Sequence, residues 1–270
     1  MTSWRYIDSG PGDAAYNMAL DEAIAAAVRK GDSPPTLRLY CWRHPSVSLG
    51  AFQKITDIDT RFCAANDVQV VRRPTGGRGI LHGEELTYSF SAKNEGLFSQ
   101  GLLESYRHIS GAFSLGLEKM GLPVKMKVRR EKGRNLARSP LCFEATSYGE
   151  LTLNGKKLIG SAQKRWGEGF LQQGSIPFTI DRAVLASVFK NIVTSADFAG
   201  LKDLLYDFDH EELKKRLLEA FESLFGISLL QALPSGPEVE QARILCHEKY
   251  QNPLWTVGAL RDTHLCNNGI

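Results

Sequence analysis

The chain has 270 residues, of which 43% are hydrophobic and 23% charged, and its formal net charge is +3. This composition is ordinary for a globular protein with a sizeable core, and the charge is too small to indicate nucleic-acid binding by itself. No run approaches the ~18 uncharged apolar residues of a membrane span, and the N-terminus lacks the basic start and apolar stretch of a signal peptide. We therefore expect a cytoplasmic protein without nucleic-acid or membrane partners, and a monomer is the expected assembly.

Cysteine and histidine usage limits the chemistry. The five cysteines are widely spaced without a C-x-x-C pair, which is typical of reduced thiols rather than of a disulfide framework. They are Cys41, Cys63, Cys142, Cys246 and Cys266. The six histidines show no metal-ligand spacing, and Cys246-His247 falls on a predicted helix, where neighbouring side chains point apart. We predict no metal site and no cofactor.

Local patterns in the first half predict two helices and several strands. Residues 13–31 form the first helix, which Asp13 can cap and Gly31 ends after a basic last turn. Apolar residues at strand length predict strands over 36–42, 47–52, 67–74 and 85–92. Residues 102–121 then predict an amphipathic helix, because apolar residues recur at three- and four-residue steps. Its stripe comprises Leu102, Tyr106, Ile109, Phe113, Leu117 and Met120.

The second half contains one hairpin signal and then helices. Asn154-Gly155, the strongest short hairpin signal, predicts two short strands within 148–165, and a further strand follows at 170–178. From residue 181 onward the patterns predict helices. These cover 181–190, 210–226 and 238–250. Strands first and helices interspersed or trailing favour an α+β fold over a repeating βαβ pattern.

Residues 72–90, RRPTGGRGILHGEELTYSF, are the densest signal of a binding site. Three glycines follow a strand, with arginines around them and a histidine shortly after. Glycines let a backbone approach a ligand closely, and successive N–H groups can hold an anion or a carbonyl oxygen. The pattern is neither G-x-G-x-x-G nor a P-loop, so no nucleotide motif applies. The alternative is a glycine-rich hairpin connection with solvated arginines.

Three other features carry possible chemistry. Strand alternation predicts Lys157 on the face of Ile159 and Ser161, where its charge would be used. The alternative is a lysine at a strand edge that extends to solvent. The basic run 124–138 is either a solvated loop or a docking patch for an acidic partner. Cys142 lies in the turn-rich stretch SPLCFEATSYGEL, where a sulfur is either tucked into the core or needed at an accessible place.

Taken together, several segments resemble the lipoate-protein ligase A/biotin ligase superfamily. They are NMALDEA, LRLYCWRHPSVSLGAFQ, RRPTGGRGILHGEELTYSF, NGKKLIGSAQKR and LQQGSIPF, in the family's order from about residue 4 to residue 178, with KYQNPLWTVG near the end. The resemblance implies a mixed β-sheet flanked by helices with a short helical C-terminal part. It implies a catalytic domain over residues 1–230 and a short helical C-terminal extension over 231–270.

The resemblance also implies a site. The lysine of the family's K-x-x-G-S-A motif matches Lys157 and contacts the acyl carbonyl, and the glycine turn at 75–79 with the strand from Lys157 to Ala162 forms the acyl pocket. The substrate-binding residues carried over are Arg73, Thr75, Gly76, Gly77, Arg78, His82, Gly160, Ser161 and Ala162. The branch with RPTGGR, LHxxELTYS and CF is the octanoyltransferase that takes its acyl group from acyl carrier protein. Its cysteine nucleophile matches Cys142, although this chain has YGEL where that branch has YEL.

That branch implies transfer of the acyl group through a cysteine thioester to a lysine, without a nucleotide. Its donor is acyl carrier protein, and its acceptors are lysines of lipoyl domains, such as those of the glycine-cleavage H protein and the 2-oxoacid dehydrogenase E2. Three alternatives stay open: an ATP-dependent lipoate ligase, a lipoyl amidotransferase and a non-catalytic binding module. Cys142 speaks against the first and third, and the GSAQKR and RPTGGR segments favour the transferase over the second.

Overall fold

The main sheet of the protein is mixed. A computed structural model describes residues 2–127, 150–190 and 198–259, and within them six strands follow the order β10-β11-β6-β2-β1-β12. Neighbours from β10 to β2 are antiparallel, whereas β1 is parallel to both β2 and β12. The strands are β1 (Thr2–Gly12), β2 (Thr36–Trp42), β6 (Glu85–Lys93), β10 (Gly160–Arg165), β11 (Gly169–Pro177) and β12 (Ile227–Gln231).

Two small sheets flank the main one. The first has the order β4-β3-β5, with β3 parallel to β4 and antiparallel to β5, and the second is the antiparallel β7-β8-β9. Their strands are β3 (Ser46–Leu49), β4 (Gln69–Arg72), β5 (Ile80–His82), β7 (Lys125–Met126), β8 (Leu151–Leu153) and β9 (Lys156–Lys157). The first small sheet therefore holds the two ends of the glycine-rich segment, at Arg72 and at Ile80–His82, and the second holds Lys157.

The two faces of the main sheet differ in chemistry. On one face Tyr88 and Phe90 of β6 pack against Phe113 and Phe221, in a core that burial of apolar surface stabilises. On the other face Asp21 of α1 accepts hydrogen bonds from side chains of β2, β6 and β11.

The helices are α1 (Ala14–Lys30), α2 (Thr60–Ala65), α3 (Leu102–Lys119), α4 (Arg182–Val188), α5 (His210–Phe225), α6 (Gly236–Leu245) and α7 (Pro253–Thr256).

The sequence-predicted fold is confirmed at the level of architecture, an α+β fold with a mixed sheet flanked by helices. Two details of the helices differ. Asp13 occupies the N-cap position of α1 without a side-chain cap bond, because its carboxylate accepts from Arg43 Nη1 at 2.9 Å instead. The buried stripe of α3 begins at Tyr106 rather than Leu102, whose side chain near the helix start is 44% exposed.

The predicted hairpin exists, but its second strand is divided. Asn154 and Gly155 both have positive φ, 51° and 79°, as a tight hairpin turn requires. Lys157, however, pairs in the small sheet with β8, whereas Gly160 begins β10 and pairs with β11 of the main sheet. The buried residues Leu158 and Ile159 link the two sheets and bring Lys157 close to the core.

The chain beyond residue 230 is tied to the first strand. Arg5 of β1 donates to Glu238 of α6 through two N–H groups, at 2.8 and 2.5 Å, and Ser33 donates to the same carboxylate at 3.0 Å. Glu238 also accepts from the backbone of Ser235 in a capping box, and α6 packs against α1. The domain boundary at residue 230 stays a prediction.

The described residues contain no helix long and apolar enough to cross a membrane.

Glu238→Ala is expected to lower the free energy of unfolding by about 3 kcal/mol, because it leaves the mostly buried Arg5 charge unpaired. Burial opposes ionisation of Glu238, but the hydrogen bonds from Arg5 and Ser235 outweigh it and hold its pKa below the ordinary value. The carboxylate's contribution is therefore full above about pH 4.3 and lost as pH falls through the lowered pKa. Urea unfolding at several pH values measures both effects.

The matched control is Glu240→Ala, which removes an exposed carboxylate from the same helix and should change stability by less than about 0.5 kcal/mol. Equal stabilities of the Glu238 and Glu240 variants would show that the tie to Arg5 contributes little.

Candidate active site

A buried arginine shapes the glycine turn. The Arg73 guanidinium donates to the carbonyls of Gly76 (2.6 Å), Arg78 (2.7 Å) and Ser48 (2.9 Å), and to Ser48 Oγ (3.1 Å). Arg73 is 3% exposed, so the predicted alternative of solvated arginines is wrong at this position. Because these carbonyls accept from Arg73, the turn is held in one shape, with Gly77 exposed and Arg78 half-buried at its tip.

Arg72 is buried as well, and for a structural reason. Its guanidinium donates to the carbonyls of Gly50 (2.7 Å), Gln53 (2.7 Å) and Thr256 (2.8 Å), and Trp255 Nε1 donates back to the Arg72 carbonyl at 2.8 Å. Burial lowers the pKa of Arg72. This side chain joins β4 to α7, so it ties the RRPTGGR segment to the KYQNPLWTVG segment.

The glycine turn lies against the strand that follows Lys157. Gly77 has a φ of +83°, which favours glycine, and a methyl group added to it would touch the Ala162 side chain at 3.4 Å. Gly50 also needs its hydrogen, since a Cβ there would lie 2.0 Å from the Gly77 carbonyl oxygen. The structure thus brings together the two segments that the resemblance assigns to the acyl pocket.

Thr75 fixes the start of this turn to the main sheet. Its hydroxyl donates to Gln173 Oε1 at 2.8 Å, and Gln173 Nε2 donates to Asp21 at 2.7 Å. Asp21 also accepts from Arg38 at 2.6 Å and from Tyr40 at 2.9 Å. Each of these buried polar groups has a partner, so the network positions the turn rigidly.

His82 is the centre of a second buried network. Nδ1 lies 2.8 Å from a Glu85 carboxylate oxygen and donates to it, because a carboxylate only accepts, and Nε2 is hydrogen-bonded to the Ser48 hydroxyl at 2.7 Å. The imidazole stacks on Trp42 with 3.9 Å between ring centroids and an interplanar angle of 16°. Glu85 further accepts from Thr87 and Ser175.

A small cavity lies between these networks and is the candidate acyl site. It has a volume of about 20 Å³. That volume admits roughly one water molecule, so an acyl chain enters only when the walls move apart. Most of its exposed surface is apolar, although Ser48, Arg73, His82, Thr87 and Gln173 are polar members of the lining. The lining residues are Met18, Tyr40, Trp42, Ser48, Arg73, Ile80, His82, Thr87, Ala162, Gln173 and Gly174.

Lys157 is wholly buried and its ammonium pairs with Glu150. Nζ donates to Glu150 Oε1 at 2.5 Å, and the two side chains are 0% and 4% exposed. The alternative of a solvent-extended lysine is therefore wrong. Glu150 is not among the site residues that the sequence predicts. A buried lysine needs an acid within reach, and the EL dipeptide at the end of the Cys142 stretch was the available signal.

Ser161 and Gly160 lie on β10, next to the core. The Ser161 hydroxyl hydrogen-bonds Tyr88 Oη at 2.8 Å, and Gln172 donates to the same phenol oxygen at 2.9 Å. Burial raises the pKa of Tyr88 to about 12, so the phenol is neutral. Gly160 begins the strand opposite Ser175. Ser161 thus faces the α3 side of the sheet, while Ala162 faces the small cavity.

Cys142 and residues 128–138 of the basic run lie outside the described residues. The described cysteines are poor candidates for a nucleophile, because burial raises the pKa of the Cys41, Cys63 and Cys246 thiols. Among the described residues no group of three or more His, Cys, Asp or Glu side chains could hold a metal ion.

Comparison with known proteins identifies the family. A model of the lipoyl protein ligase A/B catalytic domain matches residues 13–222. The chain belongs to this family. It is 42% identical over 260 residues to octanoyltransferase LipM of Moorella thermoacetica, covering 90% of this chain and 93% of that protein. It is 36% identical to octanoyltransferase LipM of Halalkalibacterium halodurans, covering 94% and 99%.

Solved structures agree on the fold of this lipoyl protein ligase A/B family member. A crystal structure of lipoate-protein ligase A bound with ATP matches 96% of this chain and all of that chain, with a TM-score of 0.83 and 24% identity. A putative lipoate protein ligase from T. acidophilum with bound lipoic acid gives a TM-score of 0.81 and 22% identity over 95% of this chain and all of that one. The predicted family is confirmed.

Proposed function

We propose that the protein is an octanoyltransferase of lipoate biosynthesis that takes its acyl group from acyl carrier protein. The observation that carries the proposal is the match to octanoyltransferases at 36–42% identity over nine-tenths or more of the chain. These relatives bear out the predicted activity class, an acyltransferase. Met18, Trp42 and Ile80 line the small cavity beside the glycine turn, and these side chains suit the apolar tail of an acyl chain once the walls move apart.

In the first step the Cys142 thiolate attacks the carbonyl carbon of the octanoyl thioester. The new C–S bond forms, the carrier thiolate leaves, and it takes up a proton. Backbone N–H groups of the glycine turn are suited to hold the developing oxyanion, because Arg73 keeps the turn in a fixed shape. We assign Lys157 to the stabilisation of negative charge on the thiolate and the carbonyl oxygen.

In the second step a lysine amine of a lipoyl domain attacks the acyl-enzyme. An amide bond forms, the Cys142–acyl bond breaks, and the amine's proton passes to the released thiolate. Because a thioester is higher in free energy than an amide, no nucleotide is consumed. We propose the glycine-cleavage H protein and the 2-oxoacid dehydrogenase E2 as acceptors, and a carrier protein's acidic surface as the partner of the basic run 124–138.

Transfer is expected to proceed in a buffer without nucleotide and with a chelator of divalent cations. The purified protein is incubated with octanoyl carrier protein and a lipoyl domain, and the mass of the domain is measured. Free octanoate with ATP and Mg²⁺ should give less than about a tenth of the product, because a free carboxylic acid carries no thioester bond that the Cys142 thiolate could break. Product that forms only with ATP would assign the protein to the lipoate ligases and return Cys142 to a structural role.

A further inference from the structure

A second cavity shares one lining residue, His82, with the candidate acyl site. Its volume is about 300 Å³, and α2, α4 and the β5–β6 connection enclose it. Most of its wall is apolar, and Glu84 and Asp181 are exposed beside it. Its main apolar residues are Phe62, Val68, Leu81, Val184, Leu185 and Phe198. We call it the rear cavity. Nothing in the proposed transfer of an octanoyl group uses it.

His82 separates the two spaces. Among the described residues it is the one side chain that lines both the small cavity and the rear cavity. The ring is fixed in its position, because its two nitrogens are hydrogen-bonded to Ser48 and Glu85 and Trp42 stacks on its face. Movement of the ring would break both hydrogen bonds and the stacking contact with Trp42, which costs more than a rotamer change at the surface.

We propose that His82 forms the end wall of the acyl pocket and limits the length of the acyl chain, and that the rear cavity accepts the distal part of a longer saturated chain when this wall is shortened. The inference rests on the proposed function, since it takes the small cavity as the acyl site. Each methylene group moved from water into apolar surroundings strengthens binding by about fourfold. A dodecanoyl chain therefore gains substantially once its last carbons reach the rear cavity.

The network around His82 tolerates the change that tests this inference. With the imidazole removed, the Glu85 carboxylate keeps its hydrogen bonds from Thr87 and Ser175. His82→Ala opens the wall fully. His82→Asn shortens the side chain while retaining an amide donor toward Glu85, and it serves if the alanine variant does not fold.

The experiment compares octanoyl, dodecanoyl and tetradecanoyl carrier proteins as donors, with a lipoyl domain as acceptor and product mass as the readout. The wild-type protein should prefer octanoyl. His82→Ala or His82→Asn should raise the ratio of dodecanoyl to octanoyl transfer at least about tenfold, a change in selectivity that destabilisation by itself does not cause. For variants whose steady-state rate is too slow to measure, the amount of acyl-enzyme formed in a single turnover is measured for each donor instead.

Val184→Trp fills the rear cavity from its rim and provides the matched control. Alone it should leave octanoyl transfer unchanged, and combined with His82→Ala it should return the selectivity to the wild-type ratio. A wild-type ratio in both His82 variants, or a gain that Val184→Trp does not reverse, would overturn the inference. Failure of the wild-type protein to transfer octanoyl at all would instead overturn the proposed function.

Discussion

Cys142→Ser is expected to abolish octanoyl transfer, with a loss of roughly 10³-fold or more. A thiol reaches its anionic, nucleophilic form near neutral pH, whereas a serine hydroxyl needs a dedicated base to lose its proton. The variant should also fail to gain the mass of an octanoyl group when it is mixed with octanoyl carrier protein. Intact-mass spectrometry and the transfer assay measure the two losses, and thermal unfolding checks that the fold is retained.

The matched controls for this prediction are Cys41→Ser and Cys246→Ser. Both thiols are half-buried, and burial raises the pKa of each. Their replacement should leave transfer within about twofold of the wild-type rate, as surface-proximal substitutions usually do. Normal turnover by Cys142→Ser would remove Cys142 from the mechanism, and loss of the acyl-enzyme in one control with an acylated Cys142→Ser protein would assign the nucleophile to that control's thiol instead.

Lys157→Arg is expected to fail almost as badly as Lys157→Ala, each losing about 10²–10³-fold in rate. The ammonium is wholly buried at 2.5 Å from Glu150. A planar, bulkier guanidinium cannot occupy the place of a compact ammonium without displacing its surroundings. Lys156→Ala is the control, because Lys156 is the exposed neighbour on the same short strand and its loss should change the rate less than twofold.

Loss of stability must be separated from loss of chemistry in these variants. Removal of Lys157 leaves the Glu150 carboxylate buried without its ammonium partner, which costs about 3–5 kcal/mol. The double variant Lys157→Met with Glu150→Gln removes both charges, so it should regain most of the stability without regaining activity. Activity in the double variant, or near-normal rates in Lys157→Arg, would show that Lys157 has a structural role.

The parts of the fold with strong local patterns could be predicted from the sequence. The α3 stripe from Tyr106 to Leu117 and the Asn154-Gly155 turn were found because periodicity and positive φ are local properties. Strands β1 and β12 were missed. Only part of β1 is deeply buried, its pairing with β2 shifts register between Asp8 and Pro11, and its glycine and proline resemble a turn. What makes it a strand is pairing with distant β2 and β12.

In the candidate site too, features set by local sequence could be predicted, whereas contacts between distant residues could not. Arg73 and Lys157 were identified, yet the partners that explain their burial, Ser48 and Glu150, were not. Nor could the sequence show that Lys157 and Gly160 belong to different sheets, because the break at Leu158-Ile159 depends on which strand each half meets. Contacts between residues far apart in the chain are set by the whole fold, and no window of the sequence contains them.

The position of β1 between β2 and β12 determines when the main sheet can be completed while the chain is being synthesised. At ribosomal rates of 5–20 residues per second, roughly 10–40 s separate the synthesis of Gly12 from that of Ile227. During this interval β2 can pair with β1, while the other edge of β1 presents free N–H and C=O groups. Completion of the sheet is a late event, and the nascent chain depends on protection of this edge until its last strand has emerged.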